Sequence, residues 1–151
     1  MIRKLIQKLF PAKGPSAIAT GRSILIIDDG EVERKVTSEI LRKRGFTVFS
    51  AENGERGVEM AKQEKPDLIL LDYLMPGLNG KDVCERLKQI ETTKNIPVIF
   101  LTGSVQPKSV IDCYEVGAEY YLAKPVTPRL LINQVEMIFK ELNLPPKSSK
   151  S

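Results

Sequence analysis

The chain has 151 residues, a length that suits one domain able to bury a core without disulfides. It contains no histidine, which excludes histidine-dependent nucleophilic catalysis, histidine metal ligands and phosphohistidine within this chain. The net charge of +4 comes from the two ends, because residues 1–22 and 143–151 carry Lys and Arg but no Asp or Glu. The remaining segment is mildly acidic, so we expect no DNA-binding face on it.

The first segment, residues 1–22, predicts a short basic amphipathic helix followed by a linker. Its apolar side chains recur at helical spacing before Pro11: Met1, Ile2, Leu5, Ile6, Leu9 and Phe10. Such a segment packs on its own domain, pairs with a second copy, or attaches to an anionic membrane surface or an acidic partner through residues 1–10. Its brevity limits the apolar area, so we expect weak, salt-sensitive membrane attachment at most and favour a protein contact.

Neither a signal peptide nor a membrane span is predicted. Polar residues and Pro11 interrupt the first apolar stretch, and no window reaches the roughly 18 uninterrupted apolar residues of a membrane span. The two cysteines, Cys84 and Cys113, lie in apolar-patterned segments without a CxxC arrangement, which is typical of core residues in a reduced cytosol. We therefore expect a cytoplasmic protein.

From residue 23 to 142, short apolar runs alternate with segments of helical periodicity. The runs are of strand length: Ile24–Ile27, Phe46–Phe49, Leu68–Leu71, Val98–Leu101 and Tyr120–Leu122. The helical segments carry apolar positions such as Val32 and Val36 in the first and Ile111 and Tyr114 in the fourth. Continuously apolar strands are buried on both faces. The pattern therefore predicts an α/β fold, a doubly wound (βα)5 unit with a five-stranded parallel, flavodoxin-like sheet.

The chain thus divides into three predicted parts. Residues 1–22 form the basic helix and linker, and residues 23–142 form the folded domain. Residues 143–151 are polar, and we expect a flexible tail there, with no effector domain after residue 142.

Polar side chains follow four of the five predicted strands. They are Asp28 and Asp29 after the first, Asp72 after the third, Thr102 after the fourth and Lys124 after the fifth. Taken singly, each is an ordinary cap, turn or surface residue. The carboxyl ends of parallel strands meet at one edge, however, and ligands bind there in open α/β sheets. The sequence therefore predicts that these groups form one site.

The chemistry of this predicted site points to phosphate. Three crowded carboxylates repel one another, so a cation is needed to neutralise them. Oxygen ligands without His or Cys favour Mg²⁺. A divalent ion, an ammonium and a hydroxyl beside one carboxylate would stabilise an incoming phosphoryl group. We therefore predict a carboxylate that receives phosphate.

Four stretches of the sequence, IIDDG, LLDYLMPGLNG, FLTGS and YLAKP, together resemble the response-regulator receiver domains of two-component signalling. The resemblance covers about residues 22–142. It implies that Asp72 is the phosphoacceptor. It also implies that Asp29, Asp72 and the backbone carbonyl of Leu74 bind Mg²⁺, with Asp28 assisting chiefly through water.

The same resemblance assigns roles to the other strand ends. Lys124 would bind the phosphoryl oxygens, and its bond to Pro125 would be cis, a geometry that is readily accessible only before proline. Thr102 and Tyr121 would form a switch pair, in which the hydroxyl moves toward the phosphate and the ring fills the vacated space.

The resemblance implies a stand-alone receiver rather than an enzyme, with intrinsic Mg²⁺-dependent autophosphorylation and autodephosphorylation. Its partners would be a sensor histidine kinase or phosphotransfer protein and a downstream effector protein that binds residues 107–142. One alternative is a phosphorelay intermediate that passes the phosphate onward. A haloacid-dehalogenase-like phosphatase is another, but it would need a second aspartate where Leu74 stands. A nucleotide- or flavin-binding protein is disfavoured, because the turn after the first strand is acidic rather than glycine-rich.

Overall fold

The computed structural model describes residues 20–103 and 106–141. The helix predicted within residues 1–10 and the tail predicted at 143–151 lie outside the described residues. The strands are β1 (Ser23–Ile27), β2 (Thr47–Ala51), β3 (Leu68–Asp72), β4 (Val98–Thr102) and β5 (Tyr120–Ala123). The described helices are α1 (Glu31–Lys43), α2 (Gly54–Glu64), α3 (Gly80–Gln89), α4 (Pro107–Glu115) and α5 (Pro128–Glu141).

The five strands form one parallel sheet in the order β2-β1-β3-β4-β5. Successive strand residues point to opposite faces, so each central strand contributes to two cores. In β1, Leu25 and Ile27 pack with α2 and α3, whereas Ile24 and Ile26 pack with α1 and α5. The predicted doubly wound (βα)5 fold is confirmed. Its strand order reverses between β1 and β3, where ligands bind in such sheets.

The second strand differs from its predicted bounds. The prediction runs from Phe46 to Phe49, whereas β2 begins at Thr47 and continues to Ala51. The Phe46 N–H donates to the Leu41 carbonyl at 3.2 Å in the turn after α1, and the Phe46 ring stacks on Phe139 with centroids 5.9 Å apart. The aromatic residue that resembled a strand start is therefore a core contact of α5.

Both cysteines are free and buried, as their apolar surroundings predict. Burial raises the pKa of Cys84 to about 12 and that of Cys113 to about 11, so both thiols stay protonated at neutral pH. Among the described helices, none is long and apolar enough to cross a bilayer.

Gly80 begins α3 at the point where this helix comes closest to the end of β3. Its N–H donates to the Tyr73 carbonyl at 2.9 Å. A Cβ on Gly80 would collide with the carbonyl oxygen of Asp72 and the Cα of Tyr73. Gly103, after β4, has no described atom within 4 Å of the place where its Cβ would stand. Close backbone packing at Gly80 therefore holds the loop after Asp72 against α3.

Gly80→Ala is expected to lower the free energy of unfolding by about 1–3 kcal/mol, because the clashing atoms belong to the backbone and cannot swing away. Urea unfolding measures this change. The matched control is Gly103→Ala, which should stay within about 0.5 kcal/mol of the wild type. Equal losses in the two variants would contradict the close packing at Gly80.

Candidate functional site

The structure brings the three predicted carboxylates together at the carboxyl edge of the sheet. Ligand oxygens of Asp28, Asp29 and Asp72 lie within 4.8 Å of one another. Asp28 and Asp72 are buried, and Asp29 is exposed. Adjacent strands β1 and β3 deliver them, so the separation of the carboxylates is set by the pairing of Ile27 with Leu71.

Lys124 inserts its ammonium between two of these carboxylates. Its Nζ lies 3.3 Å from Asp28 Oδ2 and 3.5 Å from Asp72 Oδ1. Its backbone N–H donates to the Thr102 carbonyl at 2.8 Å, which fixes the residue to the end of β4. The Lys124–Pro125 bond is cis, as predicted. Burial lowers the pKa of Lys124, but the Asp72 and Asp28 carboxylates outweigh it and the net pKa is raised. The side chain is therefore a cation at neutral pH.

Asp72 sits in an unfavourable place for a charge. Burial raises the pKa of Asp72 from 3.8 to about 6. The Lys124 ammonium opposes this rise, and the Asp28 and Asp29 carboxylates add to it. One ammonium does not balance three carboxylates. The site therefore carries excess negative charge, which a further cation would neutralise.

Asp28 is oriented by the start of α1. The Gly30 N–H donates to Asp28 Oδ1 at 2.9 Å, which leaves Oδ2 for Lys124. The Arg34 guanidinium donates to the Asp28 carbonyl oxygen at 2.8 Å. Asp28 thus holds Lys124 in place, a contact that the sequence alone did not reveal.

The predicted switch residues lie on neighbouring strands next to this cluster. Thr102 ends β4 and is buried, and Tyr121 lies in β5 and is half-buried. The Tyr121 ring meets the Tyr114 ring of α4 edge-on, with centroids 6.4 Å apart. Leu74 lies in the loop after β3 with a side chain that is 60% exposed. The switching role of Thr102 and Tyr121 and the ligand role of the Leu74 carbonyl stay predictions.

Two further features of the site were not predicted from the sequence. A cavity of about 440 Å³ beside Asp28 and Lys124 is lined mainly by apolar residues, among them Val32, Val36 and Val126. Val32, which the helical pattern places with the core, is 60% exposed at this cavity. The second feature is Tyr73, whose hydroxyl lies 3.3 Å from Asp112 Oδ2 on α4. No periodic pattern signals either feature, because both depend on how separate elements pack.

Comparison with known proteins identifies the class to which this fold and site belong. The response regulator receiver domain family matches residues 24–136, and the chain belongs to this family. It is 40% identical to protein PilH of Pseudomonas aeruginosa over 115 residues, which are 76% of this chain and 95% of PilH. It is 37% identical over 120 residues to the phosphate regulon transcriptional regulatory protein PhoB of the same organism, covering 80% of this chain and 52% of PhoB.

Solved structures show the same relationship. The chemotaxis protein CheY4 of Vibrio cholerae superposes with a TM-score of 0.75 at 26% identity, covering 81% of this chain and 99% of that one. A putative response regulator from Chloroflexus aurantiacus gives a TM-score of 0.75 at 33% identity, covering 79% and 98%. The chain spans about half the length of the transcriptional regulators that it matches but nearly all of PilH. It is thus a receiver domain of the two-component response regulators.

Proposed function

We propose that this receiver accepts a phosphoryl group on Asp72 from a sensor histidine kinase or a phosphotransfer protein. It then signals by binding an effector protein in a phosphorylation-dependent way. The observation that carries the proposal is the Lys124 ammonium, which lies within 3.5 Å of both Asp28 and Asp72 where three carboxylates meet. A buried carboxylate beside an ammonium suits phosphoryl transfer to that carboxylate.

The reaction requires Asp72 in its ionised form. A carboxylate oxygen of Asp72 forms a bond to phosphorus, the bond from phosphorus to the donor breaks, and its electron pair leaves with the donor. Because the pKa of Asp72 is about 6, the residue is mostly ionised at neutral pH. Lys124 can then donate to the phosphoryl oxygens while Asp28 keeps it oriented.

The carboxylates that surround Asp72 fit a magnesium ion. All ligand atoms in the cluster are oxygens, and the excess negative charge favours binding of a cation. Asp28, Asp29, Asp72 and the Leu74 carbonyl would hold Mg²⁺, which when bound would neutralise the carboxylates and the phosphoryl oxygens. We propose that the chain carries out intrinsic Mg²⁺-dependent autophosphorylation and autodephosphorylation without a separate enzyme.

The proposed output uses the edge of the sheet next to the site. Thr102 and Tyr121 would couple phosphorylation of Asp72 to changes in α4, β5 and α5. These three elements form the proposed effector-binding region at residues 107–142. Ile111 and Tyr114 of α4 are exposed in this region and offer apolar contacts to a protein partner. We propose that the receiver domain does not bind DNA.

One alternative output remains, in which the chain passes its phosphoryl group onward as a phosphorelay intermediate. The haloacid-dehalogenase-like interpretation is not supported, because Leu74 stands where that chemistry needs an aspartate. The nucleotide- or flavin-binding interpretation likewise lacks support, since the turn after β1 is acidic.

The experiment that tests the proposal is labelling by acetyl phosphate with and without Mg²⁺. The wild-type protein is expected to acquire an acid-stable, base-labile acyl phosphate only when Mg²⁺ is present. A protein that takes no label under these conditions would reject the proposed function. Transfer of the label to a phosphotransfer protein would favour the relay role over effector binding.

Mg²⁺ should also raise the melting temperature of the unphosphorylated protein, because an ion that binds the folded state alone stabilises it by mass action. The measurement is thermal unfolding across a Mg²⁺ titration. Asp29→Asn should weaken this response, and Asp82→Asn, which changes an exposed carboxylate on α3, is the matched control. A response that Asp29→Asn leaves intact would show that the ligand assignment is wrong.

We further propose the division into a basic helix and linker at 1–22, a receiver domain at 23–142 and a polar tail at 143–151. The partner of residues 1–10 and the cytoplasmic location stay predictions. Co-sedimentation with anionic vesicles tests membrane attachment, with the full-length protein and a variant that starts at Gly21 compared at two salt concentrations. Equal sedimentation of both would discard membrane attachment, and loss of a dimer in the shorter variant would favour self-association.

A further inference from the structure

Tyr73, the residue after Asp72, connects the proposed phosphorylation site to α4. Its backbone N–H donates to the Leu101 carbonyl at 3.3 Å, and its ring meets Phe100 edge-on with centroids 5.7 Å apart. The hydroxyl at the far end of the ring lies 3.3 Å from Asp112 Oδ2. Tyr73 is therefore tied to β4 by its backbone and ring and to α4 by its hydroxyl.

The hydroxyl of Tyr73 is the donor in this contact. A phenol hydroxyl carries the proton and a carboxylate oxygen accepts it, so the bond runs from Tyr73 to Asp112 Oδ2. Asp112 also contacts Lys108, whose Nζ lies 3.7 Å away and whose side chain is 84% exposed. Solvent screens the contact with Lys108, so this exposed pair contributes little to the position of α4.

The helix that receives this hydrogen bond is weakly held by its own sequence. α4 has nine residues, and the side chain of Gln106 makes no capping hydrogen bond at its start. It has no acidic residue in its first turn, no basic residue in its last turn and one buried residue, Cys113. By contrast, α3 is capped by Asn79 and buries four residues. Pro107 in the first turn and the exposed pair of Lys108 with Asp112 favour the helix, but these are small contributions, so α4 depends more than α3 does on contacts from other elements.

Two tyrosines outside α4 contribute such contacts. Tyr73 reaches α4 from the loop after β3, and Tyr121 reaches it from β5 through the ring of Tyr114. The first contact starts one residue after Asp72. The second contact involves Tyr121, a residue of the proposed switch. The position of α4 is therefore coupled to both ends of the proposed site.

We propose that Tyr73 is a positioning residue whose hydrogen bond to Asp112 holds α4 in its unphosphorylated arrangement. The inference rests on the proposed phosphorylation of Asp72 and adds to it a route from the phosphoacceptor to the effector-binding region. An interaction made in one of two states biases the equilibrium toward that state. Loss of the hydrogen bond therefore favours the phosphorylated arrangement, and by linkage it also favours phosphorylation.

The test uses the full-length protein with Tyr73→Phe, which keeps the ring against Phe100 and removes only the hydroxyl. We expect Mg²⁺-dependent labelling by acetyl phosphate to become roughly three- to tenfold faster, the range expected for loss of one partly exposed hydrogen bond to a carboxylate. Hydrogen exchange in the unphosphorylated protein should speed up in α4 and stay unchanged in α3. Asp112→Ala should behave in the same way, and the double variant should add little to either single change.

Lys108→Met is the matched control, because it removes the ammonium beside Asp112 without touching Tyr73. It should leave the labelling rate unchanged and alter the exchange of α4 less than Tyr73→Phe does, because an exposed i,i+4 pair contributes little. Slower or unchanged labelling of Tyr73→Phe, beside normal labelling of the wild type, overturns this inference and leaves the proposed function standing. A lower melting temperature without faster labelling assigns Tyr73 a structural role only and also overturns it. A wild-type protein that takes no label overturns the proposed function and this inference with it.

Discussion

Asp72→Asn is expected to abolish labelling by acetyl phosphate in the presence of Mg²⁺, with a loss of at least roughly 100-fold in incorporated phosphoryl group. A carboxamide has no anionic oxygen to attack phosphorus, and no other described carboxylate combines burial with contact to Lys124 apart from Asp28. Autoradiography after acid and after alkali treatment measures the loss and identifies the bond.

Asp28 and Asp82 provide the controls for this experiment. Asp82→Asn removes an exposed carboxylate from α3 and should label as the wild type does. Asp28→Asn should label slowly rather than not at all, because it loosens Lys124 without removing the nucleophile. Label retained by Asp72→Asn and lost by Asp28→Asn would move the phosphoacceptor to Asp28.

The sequence was sufficient to predict which residues meet at the site. Continuously apolar strands imply a sheet that is covered on both faces, and a parallel sheet places all its carboxyl ends at one edge. Asp28, Asp72, Thr102 and Lys124 each stand at the end of such a strand, so topology alone brings them together. Their proximity needs no knowledge of side-chain packing.

What the sequence did not predict depends on packing between elements that are distant in the chain. Asp112 lies 39 residues after Tyr73, and only the rotation of α4 about its axis turns its carboxylate toward that hydroxyl. Ile111, a neighbour of Asp112 that the apolar pattern places with the core, is 56% exposed for the same reason. Helical periodicity predicts which residues share a face, but it does not say whether the face meets a core or a partner.

The exposed apolar side chains of α4 and the buried charge at Asp72 are connected features of one molecule. α4 leaves Ile111 and Tyr114 uncovered, which suits a receiver whose output is a protein contact. Asp72 is held as a poorly solvated carboxylate, which lowers the stability of the unphosphorylated protein but prepares a nucleophile beside Lys124. Each departure from the most stable arrangement therefore serves the proposed signalling cycle.

The destabilisation by that buried carboxylate should be measurable as a pH-dependent difference in stability between the wild type and Asp72→Asn in the absence of Mg²⁺. The pKa of Asp72 is raised in the folded protein from 3.8 to about 6, so the folded state binds this proton more tightly than the unfolded state does. Ionisation of Asp72 therefore destabilises the wild type, relative to the variant, as the pH rises from about 4 to about 7. The carboxamide of the variant does not titrate in this range, so the variant shows no such loss.

At neutral pH, Asp72→Asn should be more stable than the wild type by about 1–3 kcal/mol, since one pKa unit corresponds to about 1.4 kcal/mol and solvent screening reduces the effect. The raised pKa already includes the attraction of Lys124. Urea unfolding at a series of pH values in EDTA measures the difference, which should close below about pH 4 and stay constant above about pH 7. Asp82→Asn should show no such pH-dependent gap, and Mg²⁺ should narrow the gap for Asp72→Asn by stabilising the wild type. A variant less stable than the wild type at neutral pH would mean that Lys124 compensates fully for the burial of Asp72. The excess negative charge inferred for the site would then be wrong.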